Sequence, residues 1–302
     1  MKHVFIVNPT SGRGAANKII PLIEEYFENS NEEYEIRKTD CPGCAQKLAS
    51  EYTTDSDVHL YACGGDGTLW EVINGLNDGV VMGVIPCGTG NDFFRMFKAD
   101  SLDMKKLLKD TIEGEVVATD YGLCNDSIKF INCLGIGFDA DINARVIAVG
   151  KDSMVPKKLI YMDSVLRMLT KLKTYKFSAT TKGETVQREG LLVAIMNGKY
   201  YGGGFTPAPL ASLTDGLLDV CMIKPVKLGR LLPLLPKYLK GTHTKESVAD
   251  YTNTEEIELR FEEEVNVTLD GEPYRMNVIK AKVVKQGLML KVPKGSNHEI
   301  RK

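Results

Sequence analysis

Along the first third of the chain, short strand-like runs alternate with stretches of helical spacing. Residues 4–7, 34–38, 58–63 and 80–85 read as strands, while 15–28 carries Ile19, Ile20, Ile23 and Phe27 at helical spacing. Segments 45–51 and 69–76 read as further helices. Ser101 is expected to cap a helix over 102–113 that Gly114 ends. Asn91 or Asp92 is expected to cap another that starts there. Such alternation predicts a mostly parallel sheet, with ligands at the carboxyl ends of its strands. Three loops fall at that edge: residues 8–14 after the first strand, Gly64-Gly65-Asp66-Gly67-Thr68 after the third, and 86–92 after the fourth.

The pattern changes after Asp120. Segments 127–138, 176–181, 186–196, 217–223, 256–261, 265–269 and 278–292 read as strands, several of them separated by turn signals. Two helical stretches, 156–173 and 227–240, interrupt them. The expected fold class is therefore α/β: an N-terminal, mostly parallel domain over 1–123 and a C-terminal, mostly antiparallel β-sandwich over 124–302. The last residues are expected to pack back on the first domain.

The central glycine loop carries candidate chemistry. Glycines between a strand and a helix let backbone N–H groups approach an anion, most often phosphate. A carboxylate beside a phosphate repels it unless a cation intervenes, so Asp66 points to Mg²⁺ held with nucleotide oxygens. The bland alternative is a glycine turn whose aspartate caps the helix.

The 302 residues suffice for two domains, and the net charge of -2 gives no excess for nucleic-acid binding. Seven cysteines, an odd number, suit a reducing cytoplasm better than a disulfide framework. Cys41-Pro-Gly-Cys44 has redox spacing but lies in a loop with no second pair. The start runs directly into a strand, so no signal peptide is expected, and no apolar run reaches the roughly 18 residues of a membrane span.

The ordered set Asn8-Pro9-x-Ser11-Gly12, Gly64-Gly65-Asp66-Gly67-Thr68 with Glu71, Gly88-Thr89-Gly90-Asn91-Asp92, Asp215-Gly216-Leu217-Leu218-Asp219 and Asp270-Gly271-Glu272 resembles the bacterial diacylglycerol kinase-like lipid kinases, relatives of sphingosine and ceramide kinases. The central loop alone is shared with NAD kinases and 6-phosphofructokinases. The resemblance implies ATP and Mg²⁺ as cofactors, an active site between the two domains, and transfer of the γ-phosphate to a lipid hydroxyl such as that of diacylglycerol. It also implies a cytoplasmic enzyme in transient peripheral contact with a membrane, and dimers occur in the family. A soluble-substrate kinase of the NAD kinase type and a non-catalytic nucleotide or lipid sensor are the competing classes.

On that resemblance the nucleotide clamp comprises Asn8, Ser11, Gly12, Gly64, Gly65, Asp66, Gly67, Thr68 and Thr89. Thr39 is similar to a nucleotide-contacting threonine, and Glu71 positions Asp66 or ribose, or favours its own helix N-terminus. Asp66, Asp120 and Asp270 form the expected metal network. The tip Asp270-Gly271-Glu272 carries the catalytic carboxylate, with Glu272 assigned as proton acceptor and Asp270 as metal-linked. Asp-Gly between strand-like runs is equally a hairpin signal. Ser212, Asp215 and Leu217 match a structural Mg²⁺ site. Two basic amphipathic stretches suit an anionic lipid surface: the first brackets Leu159, Ile160, Met162, Leu166, Leu169 and Leu172 with Lys157, Lys158, Arg167, Lys171, Lys173 and Lys176, and the second is 227–240.

Overall fold

The computed structural model describes residues 1–28, 30–99, 103–150, 157–296 and 300. In the first half, β1 (Lys2–Val7), α1 (Ile19–Phe27), β2 (Glu33–Lys38), α2 (Cys44–Ser50), β3 (Val58–Gly64), α3 (Asp66–Gly75), β4 (Val81–Pro86) and α4 (Met104–Ile112) follow one another. Strands β2, β1, β3 and β4 pair in that order, all parallel, so Val7, Lys38, Cys63 and Ile85 end level at one edge. Alternate residues bury on opposite faces. Phe5, Val7, Tyr61 and Ile85 pack on α1 and α4, whereas Val4, Ile6, Leu60 and Ala62 pack on α2 and α3.

The chain continues through β5 (Glu115–Cys124), β6 (Ile128–Phe130), β7 (Cys133–Gly137), α5 (Phe138–Gly150), α6 (Lys157–Thr170), β8 (Tyr175–Thr181), β9 (Glu184–Gly190) and β10 (Leu192–Met196). It ends with β11 (Leu218–Ile223), α7 (Leu228–Leu239), β12 (Ala249–Thr254), β13 (Glu256–Leu269) and β14 (Glu272–Val292). Here the pairing is antiparallel, along the path β12-β11-β10-β7-β13-β14. The α/β fold with a C-terminal sandwich thus agrees with the sequence pattern. Val193 and Ile195 of β10 enter the core between the layers, while Leu192, Ala194 and Met196 meet Leu231, Leu234 and Tyr238 of α7. Strand β14 is shared: its start pairs with β13, and Met289 and Leu290 pair in parallel with Val81 and Met82 of β4. One continuous sheet therefore joins the halves and fixes the position of the β13–β14 turn relative to the glycine loops.

Several local expectations change. The helix expected over 15–28 is α1 preceded by a tighter, kinked turn at Ser11–Lys18, because Gly12, Arg13 and Gly14 all have positive φ. Neither Asn91 nor Asp92 caps a helix. Asn91 closes its own loop on Gly88, donating to the Gly88 carbonyl and accepting from the Gly88 N–H, and Asp92 reaches Gly203. Ser101 lies outside the described residues; Asp103 caps α4 by accepting from the Lys105 N–H. The strand expected over 127–138 breaks into β6 and β7 and turns at Gly137, where φ is 91°, into the unforeseen helix α5. Leu191 separates β9 from β10, β5 runs on past Asp120, where a strand end was expected, and β12 was not foreseen. Cys41 and Cys44, which have redox spacing in the sequence, are disulfide-bonded at the entry to α2; the other five cysteines are free and buried. No helix among the described residues is long and apolar enough to cross a membrane.

Candidate functional site

The three glycine loops touch backbone to backbone at the carboxyl edge of the parallel strands. A Cβ on Gly12 would stand 2.2 Å from the Cys87 carbonyl oxygen, and one on Gly88 would stand 2.4 Å from the Gly65 Cα. A side chain at either position would push the loops apart. Side chains secure the same contact: Asn8 Nδ2 donates to Thr68 Oγ1 at 3.0 Å, and Ser11 Oγ lies 3.4 Å from that hydroxyl. Asp66 opens α3 at this junction, and its Oδ1 accepts the Phe93 N–H at 3.4 Å.

The second half faces these loops with a hairpin tip. Leu269 pairs with Glu272, and Asp270 and Gly271 turn the chain with φ of 48° and 98°, so the Asp-Gly hairpin forms. The Asp270 carboxylate accepts three backbone N–H groups, from Ile131 at 2.7 Å, Asn132 at 2.9 Å and Cys133 at 2.7 Å. Despite those donors, burial, helped by the nearby Asp66 charge, lifts its carboxyl to about 7. Asn143 Nδ2 holds the tip from α5 by donating to the Gly271 carbonyl at 2.7 Å. Glu272 is half-buried, its Oε1 standing 3.5 Å from the place of a Cβ on Gly67. Burial, and then the Glu71 charge, raise its carboxyl above the usual range.

Between tip and loops lies a cavity of about 570 Å³. Its polar end includes Ser11, Gly12, Gly65, Asp66, Gly67, Thr89, Asp92, Asp270 and Glu272. It continues into an apolar arm walled by Phe138, Ile142, Val146, Leu231, Leu234 and Leu235. No Lys, Arg or His lines it among the described residues.

Other expected site residues lie elsewhere. Asn8 and Thr68 support the loops from behind. Gly64 ends β3, where a Cβ would meet the Thr68 side chain at 2.4 Å. Thr39 is buried at the end of β2, its N–H donating to the Val7 carbonyl at 2.9 Å. Glu71 serves neither Asp66 nor the start of α3. Its two oxygens accept the N–H groups of Gly43 at 2.9 Å and Ala45 at 3.0 Å, holding the entry to α2. Glu71→Gln is expected to cost about 1 kcal/mol of stability, as for a lost helix cap. It also removes the charge that raises Glu272, so the acidic limb of the kcat/KM profile should move to lower pH. A pH–rate series on both proteins checks this; an unshifted limb contradicts the coupling.

Asp120 does not join Asp66 and Asp270. It lies inside β5, and its carboxylate accepts the N–H of Gly216 at 2.7 Å and of Gln286 at 2.7 Å. It sits with Asp215, whose carboxyl is raised first by burial and also by the Asp120 charge. Asp215 Oδ1 accepts the Leu217 N–H at 3.1 Å, and Ser212 Oγ lies 3.4 Å from the Thr214 N–H. Asp120→Ala leaves two N–H groups without their acceptor and is expected to cost about 3 kcal/mol. Turnover per folded molecule should stay near normal. Loss of rate without loss of melting temperature would return Asp120 to the chemistry.

Among the described residues, the one group of three or more metal-type side chains within 4.8 Å is Asp40, Cys41 and Cys44, and its two sulfurs are tied up in the disulfide. The carboxylates at the cavity thus do not form a closed cage of their own. They fit a cation that shares its shell with phosphate oxygens and water. The sequence reading missed Asp92 as a bridge: it accepts the Gly203 N–H at 2.7 Å and Arg95 Nε at 3.2 Å, joining the fourth-strand loop to the glycine run at 202–204. It also missed Asn143, on the unforeseen α5.

Residues 2–124 match the diacylglycerol kinase catalytic domain, and residues 132–292 match the YegS C-terminal NAD kinase beta sandwich-like domain. A diacylglycerol kinase of Bacillus subtilis is 30% identical over 276 residues, covering 90% of each chain. A probable lipid kinase, YegS-like, of Serratia proteamaculans is 27% identical over 300 residues, 96% of this chain and 93% of that one. The fold is shared with a solved diacylglycerol kinase from Bacillus anthracis, with a TM-score of 0.71, 22% identity and coverage of 98% of both chains. An NAD kinase from Archaeoglobus fulgidus solved in complex with ATP is a more distant fold relative, with a TM-score of 0.54 and 13% identity. With both halves of the chain matched and a 30% identical relative along 90% of its length, the chain belongs to the diacylglycerol kinase-like family of lipid kinases.

Proposed function

We propose that the protein transfers the γ-phosphate of ATP, with Mg²⁺, to the hydroxyl of a diacylglycerol-type lipid. One observation carries this reading: the cavity that begins at the phosphate-type glycine loops continues without a break into an apolar arm suited to acyl chains. The loops around Ser11, Gly65 to Gly67 and Thr89 hold the phosphates. Asp66 would hold Mg²⁺, which would supply charge neutralisation where the cavity lining has no basic side chain among the described residues. The lipid hydroxyl oxygen attacks the γ-phosphorus, the bond to the β-phosphate oxygen breaks, and ADP leaves. Glu272 takes the hydroxyl proton. The three N–H groups on Asp270 fix the tip, so Asp270 positions Glu272. Asp215 would hold a second, structural Mg²⁺, whose charge would offset the nearby Asp120 carboxylate, and this site belongs to the same proposal.

The lipid is met at a membrane surface. Helix α7 turns Leu231, Leu234 and Tyr238 inward and leaves Leu228, Leu232 and Leu239 exposed. Lys227, Arg230, Lys237 and Lys240 accompany them, with no acid in the segment. In α6, Leu166 is exposed beside Arg167, which pairs with Asp163. The side chains of Lys157, Lys158, Leu159 and Met162 lie outside the described residues. Labelled ATP and Mg²⁺ offered with dispersed diacylglycerol, sphingoid base, phosphatidylglycerol or soluble NAD, separated by chromatography, test the reading. Label in diacylglycerol supports it, and label in NAD alone removes it.

A further inference from the structure

The segment Cys41-Pro42-Gly43-Cys44 joins β2 to α2 and is closed by a disulfide. Cys41, Pro42 and Gly43 are exposed and Cys44 is half-buried, whereas the other five cysteines are buried and free. A thiol reagent in solution therefore meets this pair alone, and exposed disulfides are the ones that exchange with external thiols. The ring is tied to the site through Glu71. That side chain, on the second turn of α3, accepts the N–H groups of Gly43 at 2.9 Å and Ala45 at 3.0 Å, which flank Cys44. Farther along, α2 and α3 meet closely: a Cβ on Gly75 would stand 2.0 Å from the Gln46 carbonyl oxygen. The first turn of α3 carries Asp66 and Gly67, and a Cβ on Gly67 would lie 3.5 Å from Glu272 Oε1. The disulfide thus holds the two N–H groups that Glu71 accepts, and Glu71 holds the helix that opens at Asp66.

We propose that the Cys41–Cys44 pair is a thiol–disulfide exchange site through which a dithiol lowers the ATP affinity of the glycine loops. The inference rests on the lipid kinase reading above. A thiolate of the dithiol attacks the exposed Cys41 sulfur, the Cys41–Cys44 bond breaks, and Cys44 leaves as a thiolate that takes a proton from water. The second thiolate of the reagent attacks its own sulfur in the mixed disulfide and releases Cys41, which is protonated in turn. Two electrons pass to the protein, and the dithiol becomes a disulfide. The Cys44 sulfur stands 3.2 Å from Asp40 Oδ1, so the new thiol has an acceptor in place. Without the ring, Gly43, whose φ is 78°, regains the freedom of an exposed glycine, and the two N–H groups are no longer held on Glu71. Helix α3 then loses a tether close beyond Asp66, where small displacements of phosphate-binding groups are costly.

The test compares oxidised wild type, wild type reduced with dithiothreitol and freed of reagent, and the double variant Cys41→Ser/Cys44→Ser. Maleimide labelling of the folded protein, calorimetric titration with ATP and Mg²⁺, a melting curve and dioctanoylglycerol turnover are read on each. Maleimide should label Cys41 and Cys44 after reduction and neither before. The Kd for ATP is expected to rise about tenfold on reduction, the worth of roughly one hydrogen bond. The melting temperature should fall by about 3 °C, as for opening a short ring in a chain of this size. The double variant should match reduced wild type and ignore dithiothreitol, and glutathione disulfide should restore the affinity of reduced wild type alone. Equal ATP affinity in the two redox states, even with a lower melting temperature, overturns the exchange site, because a purely structural staple gives that result. So does a double variant that binds ATP like oxidised wild type, or no thiol gained on reduction. Lipid phosphorylation in either state then leaves the kinase reading intact. Absence of both ATP binding and lipid turnover in every form overturns both.

Discussion

Asp66→Asn is expected to lower lipid phosphorylation at least about 10³-fold while the melting temperature moves by less than about 2 °C. The magnitude follows from removing electrostatic stabilisation at a transferring phosphoryl group, where single contacts are worth about 10²–10³ and more when a metal position is lost. Stability is spared because Asp66 accepts a single long N–H contact, from Phe93 at 3.4 Å, and asparagine keeps an acceptor oxygen there. The cavity lining offers no Lys, Arg or His to take over among the described residues. Turnover with saturating Mg²⁺, alongside a melting curve, checks both halves. Wild-type activity in Asp66→Asn removes the metal assignment.

The second large effect separates the two carboxylates of the hairpin tip. Glu272→Ala should reduce turnover by about 10²- to 10⁴-fold, the usual worth of a general base, with ATP affinity and melting temperature nearly unchanged. Glu272 is half-buried at the tip, and a truncation there leaves little of the core exposed. Asp270→Asn should show the other pattern. Its carboxylate accepts three N–H groups, and an amide sets its own NH₂ against one of them. That mismatch is expected to cost roughly 1–3 kcal/mol of stability. Rate per folded molecule should fall less than for Glu272→Ala, because the loss acts through the position of Glu272. The raised carboxyl of Glu272 gives the sign of the pH effect: a base works ionised, so turnover rises with pH through its value. A stable Asp270→Asn with a larger rate loss than Glu272→Ala would exchange the two roles.

Much of this arrangement was legible in the sequence. The three glycine loops declare themselves through composition, and Asp270-Gly271 specifies both its turn and its place at the end of a hairpin. What the sequence concealed depends on partners far along the chain. Asp120 reads as a strand-end carboxylate, yet β5 continues past it and pairs with β14, with Thr119 opposite Leu288, and the carboxylate fills the irregular step at Gln286. Glu71 lies on the first turns of α3, but the N–H groups it satisfies belong to Gly43 and Ala45. Helix α5 was hidden by the apolar, glycine-bearing run that precedes it, and with it went Asn143. The Cys41–Cys44 spacing gave no local sign of whether the sulfurs would join.

The central claim is that nucleotide loops and hairpin tip act on one lipid hydroxyl in one cavity. Single-turnover transfer of label from γ-labelled ATP to dioctanoylglycerol, compared between wild type and Glu272→Ala at equal folded concentration, tests it most directly. The account predicts labelled phosphatidic acid from wild type and at least about 10²-fold slower transfer from the variant, with ATP bound equally well by both. Equal transfer rates in the two proteins, or no labelled lipid from wild type, would contradict it.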